Sequence, residues 1–154
     1  MTTTYVNHAS PSGLYAKTPY RFWYNDARMY ENGTLPEDRK ACDDIAKQLF
    51  KRSPDMSVIM GGGKRHLTPE NDPNEPNGPG ERLDGRNFIE EWQKLTDTRV
   101  VQTADEMFKY VEDGMPEDKL IGIYADDHLE FEVDRTQNDL GKTQPHLGTL
   151  VEKF

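Results

Sequence analysis

The sequence predicts an α/β fold with a largely parallel central sheet. Three observations carry that reading: short apolar runs at Val58-Ile59-Met60 and Leu120 to Tyr124, helical apolar periodicity over 37–52 and 87–95, and the alternation of these segments along the chain. A length of 154 residues corresponds to one domain, so 1–154 is read as a single unit with a single core.

Taken in order, Thr2-Thr3-Thr4-Tyr5-Val6 has the β-branched and aromatic content of a strand and runs into a turn-like cluster, His8-Ala9-Ser10-Pro11-Ser12-Gly13. Residues 37–52 read as one helix, with Pro36 near its start and Ala41, Ile45, Ala46, Leu49 and Phe50 forming its apolar stripe; Pro54 ends it. Met56 to Met60 suits a buried strand whose exit, Gly61-Gly62-Gly63, needs backbone freedom. From Lys64 to Arg86, Pro69, Pro73, Pro76 and Pro79 stand among Gly, Asn and Glu, a composition too polar to bury, so residues 64–86 are expected to form a long surface excursion. Phe88, Ile89, Trp92 and Leu95 recur at helical spacing, and Thr98 to Gln102 is strand-like. Thr103-Ala104-Asp105-Glu106 is a capping box that opens a helix through Met107, Phe108, Tyr110 and Val111. Lys119 to Tyr124 is a further strand, 125–147 is polar and irregular, and another helix begins at Leu147.

The composition excludes some partners. Twenty-eight acidic residues against 19 Lys plus Arg give a net charge of −9, which repels nucleic acid and anionic membrane surfaces. Hydrophobic content of 34% and charged content of 31% imply a thin core, against roughly 45–50% (counted with Gly) and 25% in ordinary domains. No apolar run approaches the roughly 18–20 residues that span a bilayer, and the Thr-rich start has neither the basic flank nor the apolar segment of a signal peptide. Cys42 is the sole cysteine, which excludes an internal disulfide and a multi-cysteine metal site; free cysteines are usually buried, and Cys42 is expected to be so. Asn32-Gly33-Thr34 is a glycosylation acceptor pattern if the protein is secreted.

Among candidate motifs, Gly61-Gly62-Gly63-Lys64-Arg65 invites a phosphate-loop reading, but Arg65 follows the Lys and Val58 stands where the first Gly belongs. Asp126, Asp127, Glu130, Glu132 and Asp134 lack EF-hand spacing and read as a solvated acidic surface. Tyr20-Arg21-Phe22-Trp23-Tyr24 concentrates aromatics around one guanidinium, which suits packing with Arg21 stacked on a ring, or a rigid fork that grips phosphate. His8 and Ser10 are unremarkable taken singly.

Thr2 to Pro11, followed by Tyr15-Ala16 and Arg21-Phe22-Trp23-Tyr24, closely resembles the segment of animal alkaline phosphatases that bears magnesium and phosphate contacts. Collinear similarity continues through Cys42-Asp43-Asp44-Ile45-Ala46, Val58 to Lys64, Arg82-Leu83-Asp84-Gly85-Arg86-Asn87, Glu91-Trp92 and Gly122 to Arg135. The resemblance implies a partial three-layer α/β/α sandwich, the middle portion of a metal-dependent phosphomonoesterase domain. It makes Ser10 a magnesium ligand, His8 a group that reaches phosphate through a metal-bound water, and Arg21 the guanidinium that holds two phosphate oxygens. It also implies two zinc ions, whose ligands lie outside this chain together with the Asp-Ser-Ala nucleophile motif, so that the chain alone is expected to be inactive.

Further implications are phosphate monoester substrates, a homodimer at full length, and an extracellular or cell-surface location with membrane attachment only through a lipid anchor. The family pairs the cysteine at the position of Cys42 with one upstream. Its accessory calcium site corresponds to Glu75, slightly displaced, Tyr124, and Ala125 in place of a Glu, which leaves calcium in doubt. The competing expectation is a non-catalytic acidic module that binds calcium or phosphate.

Overall fold

A computed structural model describes residues 1–75 and 78–154; Pro76 of the expected excursion lies outside the described residues. The fold is mixed α/β. Helices α1 (Ala9–Ser12), α2 (Asp26–Glu31), α3 (Pro36–Ala41) and α4 (Ile45–Arg52) precede strand β1 (Val58–Gly61), and α5 (Phe88–Gln93), β2 (Thr98–Val101), α6 (Ala104–Glu112), β3 (Lys119–Ile123), α7 (Glu132–Gln137) and α8 (Leu147–Lys153) follow. The sheet has the order β1-β3-β2, and both pairings are parallel, with Ile59 opposite Ile121 and Val100 opposite the same residue.

Successive residues of a strand face opposite sides, and here both sides are covered. Ile59 and Ile121 pack with Ile45 and Leu49 of α4 and with Phe88 and Trp92 of α5, whereas Met60 and Leu120 pack with Met107 and Tyr110 of α6 and Leu150 of α8. This double coverage is what a parallel sheet requires. Trp92 is fully buried and satisfies its indole N–H on Ser53 Oγ at 2.8 Å.

The N-terminal segment runs alongside β1. Met60 N–H donates to the Met1 carbonyl, Thr3 N–H to Met60, Gly62 N–H to Thr4 and Val6 N–H to Gly62, at 2.8–3.2 Å, although only Thr2 and Met60 form a regular bridge. The glycine exit of β1 follows from close approach: a Cβ on Gly62 would lie 1.9 Å from the Asp127 carbonyl oxygen, and Gly63 has φ +106° with a Cβ position 2.5 Å from Asn7 Oδ1. The amides here are already engaged, Gly63 and Lys64 both donating to the Ala125 carbonyl, so no phosphate cradle exists.

Several sequence expectations are corrected. Residues 37–52 form two helices, because Asp44 leaves the helical conformation and caps α4, its carboxylate accepting from Lys47 N–H at 2.8 Å. Cys42, in the extended link between them, is exposed and not buried. The turn-like cluster after Val6 contains α1, and the polar stretch 125–147 contains α7 and a 3₁₀ turn at Leu140–Lys142. The segment 64–86 is not wholly superficial: His66, Leu67, Thr68, Asp72 and Arg82 are buried.

Arg82 explains that burial. Its guanidinium donates to both Asp44 oxygens at 3.1 Å and to the His66 carbonyl at 3.4 Å, pairs with Asp84, and lies over the Phe88 ring at 4.5 Å. A composition too polar for an apolar core is buried here through paired charge. Burial pushes the Asp44 carboxyl above its ordinary pKa, and the Arg82 charge and hydrogen bonds oppose that shift. Replacing Arg82 with Met strands the buried Asp44 carboxylate and is expected to cost about 3–5 kcal/mol in urea unfolding. Adding Asp44→Asn, which keeps the helix cap, should recover most of the loss; an Arg82→Met cost below about 1 kcal/mol would contradict a structural ion pair.

Candidate functional site

The exit of the N-terminal segment and the turn after Pro19 meet at a cavity of about 520 Å³ lined by Tyr5, His8, Phe22, Tyr24, His66 and His128, with Arg28, Glu31, Asn32, Arg65 and Asp127 completing its walls. The sequence places these rings far apart, and the fold stacks them. His8 lies against Tyr24 with centroids 5.6 Å apart, Tyr24 against His66 at 5.0 Å, and Tyr5 against His128 at 4.6 Å.

Arg21 occupies the tip of a turn closed by Trp23 N–H donating to the Tyr20 carbonyl at 3.2 Å. Its guanidinium is exposed and sits 5.0 Å from the Phe22 ring centroid. Although not itself among the lining groups, it is close enough to the Tyr24 hydroxyl to hydrogen-bond it, and its charge acts on His8. The aromatic run therefore divides: Tyr24 is buried, Trp23 half-buried, and Tyr20 and Phe22 are about two-fifths exposed, at 42% and 40%.

The other guanidiniums at the cavity are neutralised. Arg28 donates to Glu81 at 2.8 and 3.1 Å and to Glu31 at 2.8 Å; Arg65 pairs with Asp127 at 2.8 Å and with Glu81 at 3.6 Å. Burial would raise the Glu81 carboxyl, but hydrogen bonding and charge from His66, reinforced by Arg28, hold it at about 2. Arg21, by contrast, forms no ion pair with a carboxylate among the described residues. His8 is half-buried, and desolvation, then the charges of His128, Arg21 and His66, depress its pKa, which keeps the ring neutral at pH 7.

Ser10 is exposed on α1 and does not line the cavity that His8 enters. Its hydroxyl is a hard oxygen donor suited to magnesium, yet it supplies one position of an octahedral shell. The geometrically compact acidic group among the described residues is elsewhere: Asp26, Asp44 and Asp84 bring carboxylate oxygens within 4.8 Å of one another, with the Arg82 guanidinium bound to Asp44 and Asp84. That group already contains its cation. At the expected calcium position, Glu75 pairs with Lys64 at 2.7 Å, and the Ala125 carbonyl accepts two backbone N–H groups.

Sequence reasoning missed His66 and His128 as site neighbours. No local motif marks them; the pairing of the N-terminal segment with β1 and the turn into 125–130 bring them to the Tyr5 ring.

Comparison with known proteins gives a consistent result. The profile of the family described as alkaline phosphatase matches residues 1–153. The chain is 34% identical to an alkaline phosphatase of Gadus morhua, 35% to a membrane-bound alkaline phosphatase of Bombyx mori, and 34% to the tissue-nonspecific alkaline phosphatase isozyme of Gallus gallus, with 98–99% of the chain covered in each case. It spans less than a third of their length, at 31%, 27% and 29% respectively.

The depressed His8 pKa fixes the sign of a pH effect. Below the ordinary imidazole pKa of about 6.5 the unfolded chain takes up a proton that folded His8 resists, so stability falls on acidification through that range. The melting temperature of the wild type should drop between pH 7 and 5.5, and His8→Gln should reduce the drop; an unchanged drop would remove His8 as its source.

Proposed function

The chain belongs to the alkaline phosphatase family, and on that premise we propose that it forms the middle part of a metal-dependent phosphomonoesterase domain and supplies part of the phosphate site. The observation that carries this reading is the pairing pattern at the cavity: Arg28 and Arg65 are bound to carboxylates, while exposed Arg21 beside Tyr24 and His8 is left for an external anion. Net charge of −9 disfavours polyanions at long range, so a small dianion has to be held by local hydrogen bonds.

Arg21 presents a planar fork that matches two non-bridging phosphate oxygens and stabilises their charge during an in-line displacement. The Phe22 face and the closed turn limit the positions of the guanidinium. Neutral His8 can orient a water between itself and the phosphate, since one ring nitrogen donates and the other accepts. Ser10 would hold magnesium through its hydroxyl oxygen, with the remaining positions filled by water, substrate and residues other than these 154. Bound metal supplies charge and an activated oxygen to such a reaction. An extracellular or cell-surface setting fits exposed Cys42, which a second thiol could reach, and exposed Asn32 at the end of α2. No helix among the described residues is long and apolar enough to cross a membrane.

In the protein at its full natural length, Arg21→Ala should cost roughly 2–4 kcal/mol of transition-state stabilisation, about one and a half to three decades in kcat/KM, and weaken inhibition by inorganic phosphate. Arg21→Lys should also lose efficiency, because an ammonium restores the charge without the fork. A lower melting temperature with unchanged phosphate affinity would identify Arg21 as a packing residue instead.

The 154-residue chain by itself contains no Asp-Ser-Ala motif. Supplied with zinc and magnesium it should hydrolyse no chromogenic phosphate ester, since it can bind charge but cannot form a phosphoserine. Metal-dependent turnover in a pure preparation would overturn this division of roles.

A further inference from the structure

Helix α4 grips the Arg21 turn from both sides. On the entry side, Gln48 makes an amide-to-amide pair with the Lys17 backbone: Lys17 N–H donates to Gln48 Oε1 at 2.7 Å, and Gln48 Nε2 donates to the Lys17 carbonyl at 3.1 Å. The same Nε2 also donates to the Asp43 carbonyl at 2.9 Å, which steadies the side chain against its own helix entry. On the exit side, the first amides of the helix reach out of it. Ile45 N–H donates to the Trp23 carbonyl at 2.8 Å, and Ala46 N–H donates to the Tyr24 carbonyl at 3.0 Å.

Between these fixed points the chain is short. Thr18 Oγ1 donates to the Tyr20 carbonyl at 3.0 Å and accepts from Tyr20 N–H at 3.3 Å, and the turn that carries Arg21 closes from Tyr20 to Trp23. Arg21 is exposed and has no ion pair among the described residues; Phe22 and the Tyr24 hydroxyl lie beside its guanidinium, and its place depends also on how firmly this short segment is tied down. The amides of α4 that would otherwise meet water at a helix start are used as donors to the turn, and Gln48 supplies what the helix backbone cannot reach. Gln48 is not among the residues that line the cavity.

We propose that Gln48 is a positioning residue for the phosphate-gripping guanidinium, acting through Lys17 and the Arg21 turn. This rests on the phosphate role of Arg21 proposed above. Loss of the clamp widens the range of guanidinium positions and lowers the fraction that meets two phosphate oxygens together, which weakens binding and turnover.

The test uses the protein at its full natural length, a chromogenic aryl phosphate as substrate and inorganic phosphate as competitive inhibitor. Gln48→Ala should weaken phosphate inhibition by about three- to tenfold and lower kcat/KM by a similar factor, while the melting temperature falls by no more than about 5 °C, as for the loss of a few partly exposed hydrogen bonds. Gln48→Glu keeps an oxygen for Lys17 N–H but turns a carboxylate oxygen toward the Lys17 and Asp43 carbonyls, so it should also weaken phosphate inhibition, and it serves if the alanine variant does not fold.

Each variant is then repeated in the Arg21→Ala background. A residue that works through Arg21 has nothing left to position there, so the further weakening should be within about 1.5-fold. Equal weakening in both backgrounds would mark Gln48 as a general structural support, and no weakening in either would remove it from the site; both results overturn the proposal. If Arg21→Ala itself leaves phosphate inhibition unchanged, the phosphate role of Arg21 fails first, and the inference built on it falls for that separate reason.

Discussion

The buried pair of Arg82 and Asp44 is the contact on which the remaining architecture hangs. Placing a guanidinium with no exposed side-chain surface inside a domain costs several kcal/mol unless its donors find acceptors, and here Asp44, Asp84 and the His66 carbonyl provide them. The consequence is geometric as much as energetic. Asp44 can hold Arg82 and cap α4 only if the chain leaves the helical path at 42–44, so the same interaction ends one helix, starts the next and draws the excursion across it.

Charge is distributed so that position, and not quantity, decides what the cavity can bind. Glu81, adjacent to Arg82, gathers Arg28, Arg65 and His66 and leaves little uncompensated charge along that wall. Asn25 links this group to α2: its side-chain amide nitrogen lies 2.8 Å from His66 Nδ1, and its oxygen accepts from Arg28 N–H at the same distance to cap the helix. The net effect is a charge-compensated wall on one side of the aromatic cavity, while Arg21, outside the lining, forms no ion pair among the described residues. At a net charge of −9, long-range attraction of a small dianion is ruled out and only a local arrangement of this kind could hold one.

Much of the frame was legible in the residues. The runs Val58 to Met60 and Leu120 to Ile123 became strands because apolar, β-branched segments bounded by turn residues have few other stable placements, and Thr103 capped α6 with Glu106 N–H donating to its hydroxyl at 3.2 Å. What stayed hidden depended on contacts distant in sequence. The break at Asp44 needed Arg82, 38 residues away, and the buried part of the excursion needed that same pair. Thr2 to Val6 read as a strand, and its backbone does run along β1, with too little regular bridging to form a named strand. His8 and Ser10 could be singled out only through family resemblance, and the aromatic run around Arg21 by itself left packing and a phosphate fork both open. The histidines around His8 lay beyond any local pattern.

The phosphate grip of Arg21 is decided by a structure of the protein at full natural length with inorganic phosphate bound. Two Arg21 guanidinium nitrogens are expected at about 2.7–2.9 Å from two phosphate oxygens, with the Gln48 amide still joined to both Lys17 backbone atoms. A phosphate held elsewhere, with the Arg21 guanidinium resting on Phe22 out of its reach, would contradict it.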